Sequence, residues 1–467
     1  MLDVPIFINF YRFIKQGFSE NVVENKNKGD KDENFKNRKD CFVMRVIINL
    51  FVAFAFFISL SPLHAEESVS WEQCVSESMK AHPDLYSALA VLQQAEADKR
   101  ITKGALLPQL SFGVNSSENG SLGKGNGLSS ALSYSLSAQQ LLFDGHKTSN
   151  QIASNTEAVK AAQYNYSAVS ASLRFALRSA FTQLLKAQDL VGLTVEIAER
   201  RKNNVRLISL RYQGGREHLG SLRQAEADLA QAEFEVSQAK RGLILAQTNL
   251  ASALGRDKHQ PLRVKGTFNV SDLSTSKPDL AQLVKNNPLF QQLDTRSKAA
   301  RFDLDASRSA FSPQLSLTST IGRGAYDRLP TDAVDWSAGV TVSVPIYEGG
   351  AGRARVAKAS ALLSQQQAQE KSGFLLLFNA LEQSWKGFQD ARQMVVVQNK
   401  QLVAANERSK IANAQYSNGL VTFNDWVIIE NNLVNAKKNL LNAEADMLIA
   451  EAQWIQAKGG VLEGQQE

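Results

Sequence analysis

The chain is poor in the residues that carry chemistry. It has 2 cysteines in 467 residues, Cys41 and Cys74, which excludes a disulfide framework and forms no metal pattern. His82, His146, His218 and His259 are scattered, without the spacing of metal ligands. No ordered Ser/His/Asp set and no phosphate-binding glycine loop is present. The sequence therefore assigns no catalytic residue, no cofactor and no metal, and the chain is read as a non-enzyme. The formal charge is +6 and no basic cluster is interleaved with aromatics, so a nucleic-acid partner is not indicated.

Long apolar runs are missing as well, with one exception. Residues 44–65 read MRVIINLFVAFAFFISLSPLHA. A basic residue, a short apolar stretch and Leu63-His64-Ala65 before Glu66 have the order of a signal peptide. Residues 1–43 are polar and Lys/Asn-rich, and are expected to be an upstream start-site artefact or a disordered leader, with Met44 as the alternative start. No later segment reaches the roughly 18 apolar residues of a transmembrane helix. Any membrane-spanning part must be built from strands.

Proline is the third absence. None of the 10 prolines falls in 109–260 or 346–467. Proline breaks helix interiors, so these stretches are free to form very long helices, and Ala, Gln, Leu, Glu, Lys and Arg dominate them.

What is present is a duplication. Leu107-Pro108-Gln109-Leu110-Ser111 returns as Ser312-Pro313-Gln314-Leu315-Ser316, and Leu142-Phe143-Asp144-Gly145 as Ile346-Tyr347-Glu348-Gly349. Arg211-Tyr212-Gln213-Gly214-Gly215 returns as Gln415-Tyr416-Ser417-Asn418-Gly419. The separation of about 205 residues far exceeds the roughly 20–50 of a solenoid, so a half-molecule is repeated. The expected units are 66–258 and 276–460, joined by a linker at 259–275 and followed by a tail at 461–467.

Each unit reads as two strands and then two helices. Leu110, Phe112 and Val114 alternate with Ser111, Gly113 and Asn115. Trp336, Ala338, Val340 and Val342 alternate with Ser337, Gly339, Thr341 and Ser343. The period of two marks strands, expected near 108–116, 130–143, 313–322 and 335–347. Their polar face is Ser, Thr, Gly and Gln with almost no charge, which suits a barrel wall with lipid outside and water inside. Tyr134, Phe143, Trp336 and Tyr347 are candidates for interfacial girdles. Helices are expected at 146–213, 221–254, 350–417 and 424–458. Leu222, Ala225, Leu229, Ala232, Val236, Ala239, Leu243, Ala246 and Leu250 step by three and four, and Trp426 to Trp454 repeat the steps. That is a coiled-coil seam of alternating large and small residues.

Four strands cannot close a barrel, because about eight is the minimum, and open edges cannot be left in lipid. The chain must therefore associate with copies of itself. Three copies give twelve strands and a wall wide enough to hold water.

At this point the chain resembles the TolC family of outer-membrane efflux proteins. The resemblance rests on the duplicated unit, the two Pro-Gln-Leu strand entries, and Gln140-Leu141-Leu142-Phe143-Asp144-Gly145 with Pro345-Ile346-Tyr347-Glu348-Gly349-Gly350. Tyr416-Ser417-Asn418-Gly419-Leu420-Val421 with Asp425 is similar to the family's periplasmic turn. The resemblance covers roughly 70–460. It implies an α+β membrane protein: a homotrimer whose 12-stranded β-barrel in outer-membrane lipid continues into a long periplasmic coiled-coil barrel. It implies a passive exit duct of a tripartite efflux pump or a type I secretion system. The partners would be a periplasmic adaptor and an inner-membrane transporter of ABC, RND or MFS type.

It also implies site residues. Asp425 and Tyr416 match the periplasmic gate, and Gly214, Gly215, Gly419 and Leu420 match the adaptor-docking turns. Asp144, Gly145, Glu348, Gly349 and Gly350 form the strand-to-helix junctions, where a cap and a bend suffice as a role. The match is incomplete. Arg216 replaces a leucine in the first turn, Ser221 stands where Asp425 stands in the second, a second acidic position is Ile428, and a basic one is Glu444. Two readings of other classes compete: a periplasmic adaptor, and a structural coiled coil without a pore.

Overall fold

A computed structural model of the chain describes residues 67–120, 128–257, 261–268, 276–326 and 333–462. The expected leader and signal peptide, Cys41, His259 and much of the linker lie outside the described residues.

The first repeat begins with strand β1 (Glu67–Val69), helix α1 (Trp71–Ala81) and helix α2 (Pro83–Gly104). Strands β2 (Gln109–Gly120) and β3 (Leu128–Phe143) follow, then the rods α3 (Lys147–Gln213) and α4 (Leu219–Leu254). Strand β4 (Leu262–Val264) connects to the second repeat, which has helices α5 (Leu280–Asn286) and α6 (Pro288–Ser309). Strands β5 (Gln314–Tyr326) and β6 (Asp335–Ser343) precede the rods α7 (Ala351–Ser417) and α8 (Phe423–Ala457).

Several of these differ from the sequence reading. Helices α1, α2, α5 and α6 were not expected. Pro83 and Pro288 mark breaks in the sequence, yet each stands in the first turn of its helix, where proline loses no hydrogen bond. The segment 259–275 is not only a linker, because β4 pairs in parallel with β1. The tail begins docked: Leu462 is buried and its N–H donates to Ser170 Oγ at 3.0 Å. Strand β6 stops at Ser343 and not near 347, since Pro345 has no N–H to donate. Strands β2 and β5 run farther outward than expected.

Rods α3 and α7 are each 67 residues long, about 100 Å at 1.5 Å per residue. Rod α3 packs against α2, α4, α6 and α8, whereas α7 packs against α5, α6 and α8. The layer therefore runs α2 and α4, then α3, then α6 and α8, then α7. Where α4 ends, a Cβ on Gly255 would lie 3.2 Å from His82 Cα and Pro83 Cδ. Gly459 approaches Pro288 and Asn287 in the same way past the end of α8. Asn287 caps α6 by accepting from Leu289 N and donates to the Ala457 carbonyl, both at 2.9 Å.

The seam of α4 points at α3. Ala225, Ala232, Ala239, Ala246 and Leu250 are buried, with the larger seam residues between them half-buried. In α8 the seam from Trp426 to Trp454 packs toward α7, and a second stripe (Val434, Leu441, Ala445, Leu448, Ala452) is also buried. Each fully buried leucine of such stripes contributes about 1.5–3 kcal/mol. The largest apolar cluster lies around β1, β4, α1 and the middle of α3, including Leu177, Leu184, Leu250 and Leu254. Cys74 belongs to it, and burial pushes its thiol pKa up to about 12, so it is an inert core residue.

The four long strands form one antiparallel sheet in the order β2-β3-β5-β6. Register sorts its residues into rows. On one face the rows are Phe143/Leu315/Val342, Gln140/Leu317/Val340, Leu110/Ala138/Ser319/Ala338, Phe112/Leu136/Ile321/Trp336 and Val114/Tyr134/Arg323. On the other face Ser111, Ser137 and Thr320 share a row, as do Gly113, Ser135, Gly322 and Asp335. Leu110, Phe112, Val114, Trp336, Val340 and Val342 are all more than half exposed. A sheet with its apolar face uncovered and two unpaired edge strands is not a structure for water.

Candidate functional site

The rods turn back at two tips of the same design. After α3, residues 214–218 turn, and after α7, residues 418–422. Gly215 (φ 68) and Gly419 (φ 77) are left-handed, a conformation that glycine enters without a Cβ penalty. Arg216 N donates to Arg211 O at 2.8 Å and Leu420 N to Gln415 O at 2.9 Å. Gly215 N bonds Tyr212 O and Gly419 N bonds Tyr416 O. Both tips are thus Schellman caps. Gly214 occupies the cap position with an ordinary φ of −83.

The next helices are capped differently. The His218 ring accepts from Ser221 N at 3.3 Å. Thr422 Oγ1 accepts from Asp425 N at 3.2 Å and donates to Asp425 Oδ2 at 2.7 Å. Asp425 is exposed in the first turn of α8, where a carboxylate favours the helix dipole. Leu420 is 74% exposed at the apex.

Tyr416 is placed otherwise. It is buried, stacked on Trp426 with ring centroids 4.6 Å apart and planes at 7°. The Arg211 guanidinium lies 4.6 Å from the Tyr416 ring centroid, and its Nη1 donates to Tyr416 O at 3.0 Å. Trp426 Nε1 donates to Asn413 Oδ1 at 2.7 Å. The Tyr416 hydroxyl crosses to the other repeat and donates to Glu217 Oε2 at 2.7 Å, while Ser221 Oγ donates to Glu217 Oε1 at 2.9 Å. Burial pushes the Glu217 carboxyl up, but the hydrogen bonds from Tyr416, Ser221 and the His218 backbone outweigh it and hold the group below its ordinary range. Burial, and then Glu217, raise the phenol. Glu217 was not singled out in the sequence; a carboxylate between two turn glycines and a cap gives no local sign of a partner in the other repeat.

A second cross-repeat contact lies a few turns inward. Arg200 of α3 donates from Nε to Glu430 Oε2 at 2.6 Å and from Nη2 to Oε1 at 2.9 Å. Ser409 of α7 receives from the same Nη2 at 2.7 Å and donates to Glu430 at 2.5 Å. Glu430 is 1% exposed. Burial raises its carboxyl, but the hydrogen bonds from Arg200 and Ser409 outweigh it and hold the group below its ordinary range. Glu444, the substituted basic position, faces Asp189: burial first, and then Asp189, raise its pKa.

The junction residues form local bends. Asp144 Oδ2 accepts from Thr148 N at 2.8 Å, and Gly145 is left-handed against Ser312. Glu348 pairs with Arg355, and Gly349 and Gly350 are left-handed at the start of α7. Two histidines act as caps: His82 and His218 accept from the first turns of α2 and α4, whereas His146 stands left-handed before α3 without a side-chain cap hydrogen bond. Among the described residues no group of side chains could hold a metal ion, and no helix is long and apolar enough to cross a membrane.

An apolar-faced sheet with a hydroxyl-lined reverse, standing on coiled-coil rods with capped tips, defines a channel protein that crosses its membrane by strands. The outer membrane efflux protein family matches residues 74–256 and 280–460, and the chain belongs to that family. Its place is the outer membrane, with the helical part in the periplasm, and its work is efflux. The chain is 24% identical to outer membrane protein OprJ of Pseudomonas aeruginosa over 242 residues, which is 49% of either chain. It is 24% identical to the cation efflux system protein CusC of Escherichia coli O157:H7 over 362 residues, 74% of this chain and 76% of that one. A crystal structure of CusC superposes with a TM-score of 0.77 at 20% identity, covering 83% of this chain and 91% of that chain.

Proposed function

We propose that three copies of the chain form a passive exit duct that takes cargo from a periplasmic adaptor and an inner-membrane transporter to the outside. The observation that carries this is the sheet. Strands β2 and β6 are unpaired edges, and an unpaired edge is not tolerated in lipid. Strand β6 runs antiparallel to β2, so β6 of one copy can pair with β2 of the next without breaking the antiparallel order. Four strands per copy close at twelve, with the Ser/Thr/Gly face around water. The rods follow the same logic. Among the described residues rod α7 has no helix packed on its outer side and exposes there a stripe of heptad positions, Leu376, Gln383, Asp390, Val397, Ala404 and Ile411; this mixed apolar and polar stripe suits a neighbouring copy. The wall supplies no reacting group, so cargo is moved by its partners and not by this chain.

Tyr416 and Asp425 belong to the gate in different ways. Tyr416 acts inside one copy, holding the α7/α8 turn to Glu217 of the α3/α4 turn. Asp425 acts between copies, as an exposed carboxylate that the three-fold axis repeats; like charges there attract cations and repel anions. Gly214, Gly215, Gly419 and Leu420 present the two turns to the adaptor, with Leu420 as the apolar contact that Arg216 replaces in the first turn.

Planar-bilayer recordings test the duct and the gate together. The purified protein is expected to migrate as a heat-resistant trimer and to conduct ions, with a small closed conductance favouring cations. Asp425→Ala is expected to raise conductance and reduce cation preference. A soluble monomer without conductance sinks the duct; unchanged conductance and selectivity in Asp425→Ala sink only its gate role.

A further inference from the structure

We infer that the lipid-facing wall carries a binding site for the phosphate of a lipid headgroup, built on Arg323 with Tyr134 beside it. The inference rests on the reading that the sheet spans the membrane with its apolar face toward lipid. Three charged residues occur on the described long strands: Glu118, Arg323 and Asp335. Asp335 pairs with Gly322 and Ser135 on the hydroxyl face. Arg323 is on the apolar face, in the row Val114/Tyr134/Arg323, one row beyond Phe112/Leu136/Ile321/Trp336. Glu118 shares that face but lies two rows farther out and two strands away, opposite Ser130. No acidic side chain therefore shares the row of Arg323. The next position on the β6 side, Val334, is apolar and exposed.

Depth identifies what meets this cation. Arg323 stands eight positions beyond Leu315 on β5. At about 3.3 Å per residue and a strand tilt of about 40°, that is roughly 20 Å above the innermost row. The apolar band of such a wall is about 25 Å tall, so the guanidinium reaches the boundary between acyl chains and headgroups. It does so at the end remote from the rods, hence at the outer leaflet. Arginine offers a fork of donors that fits phosphate oxygens, and a tyrosine in the interfacial belt presents a hydroxyl at the same level. Strand β5 is interior to the sheet, so no neighbouring copy covers the site, and each copy of an assembly repeats it.

The test uses the full-length protein in detergent, titrated with phosphatidic acid or phosphatidylcholine and read by native mass spectrometry for retained lipid. Wild type is expected to prefer phosphatidic acid. Arg323→Leu adds one more apolar side chain to an apolar face, so insertion survives. It is expected to weaken that binding about fivefold, as loss of one basic residue near a charged lipid surface predicts. Arg323→Lys keeps the charge and restores most of it. No preference in wild type, or a preference unchanged in Arg323→Leu, overturns the inference. Displacement of the lipid by inorganic phosphate alone at equal concentration also overturns it, since the site would then take free phosphate. A wild type that conducts in bilayers but shows no preference removes the lipid site and leaves the duct standing; a wild type that does not insert removes the duct.

Discussion

The two tips share a backbone and differ in what their side chains reach. Tyr212 and Tyr416 hold the same position before their turns, yet Tyr212 is 39% exposed and Tyr416 is 1% exposed. Glu226 and Glu430 also correspond. Glu226 pairs at the surface with Arg223 one turn away, and Glu430 is buried on Arg200 of the other repeat. Leu222 is half-buried where Trp426 is buried in the stack with Tyr416. The cause is position in the layer. Rod α3 has neighbours on both sides, and α8 is packed between α3 and α7, so the second tip is built against the first. A duplicated backbone has been given one tip that receives and one that clasps.

Paired substitutions break that asymmetry in order of size. Trp426→Ala removes the stack and is expected to cost about 4 kcal/mol, against about 1–2 kcal/mol for Leu222→Ala, measured by denaturant unfolding of the helical part. Glu430→Ala takes the acceptor from the buried Ser409 hydroxyl and the half-buried Arg200 guanidinium and is expected to cost about 2 kcal/mol; Glu226→Ala should leave the unfolding midpoint where it is. Tyr416→Phe loses one hydrogen bond to Glu217, about 1–2 kcal/mol with the carboxylate left behind, and raises closed-state leak in bilayers. Tyr212→Phe is expected to stay within about 0.5 kcal/mol and leave the leak unchanged. Equal losses at either pair would end the distinction between the tips.

Acid sharpens the same contrast by a smaller amount. Glu430 and Glu217 have lowered pKa values in the folded chain. Their stabilisation is present above the unfolded carboxylate value of about 4.3 and is lost as pH falls through the lowered folded values. Glu444 is raised, first by burial and then by Asp189, so protonating it relieves a repulsion. Thermal unfolding followed by circular dichroism is therefore expected to show a slight gain as pH falls from neutrality toward the unfolded carboxylate value of about 4.3, and a loss below it. A steady decline from neutrality would contradict the Glu444 part.

What the sequence disclosed follows from how local each signal is. The strand faces were legible because alternation is a property of neighbours, and Leu110, Phe112 and Val114 stand in one row-set with Leu136 and Ile321. The turns at Gly215 and Gly419 were legible because a left-handed residue after a long helix leaves few choices. Helices α2 and α6 are not legible from proline-free stretches, because each begins on a proline, Pro83 and Pro288, in its first turn. The pairs Arg200–Glu430 and Tyr416–Glu217 were missed because each joins residues some two hundred positions apart. A carboxylate that is buried on a distant arginine has the same sequence as one in water.

The unpaired edges of β2 and β6 have a consequence for the cell's arithmetic. One chain alone has no stable place in the bilayer, since its edge groups would go unpaired in lipid. Insertion and assembly are then a single event that needs every copy sound. A chain whose β6 edge is spoiled can still offer an intact β2 to its neighbour, and so enters the ring and leaves it open. In a mixed population such a chain is dominant: for the three-copy ring proposed above, equal amounts of both leave only about one ring in eight with three good copies.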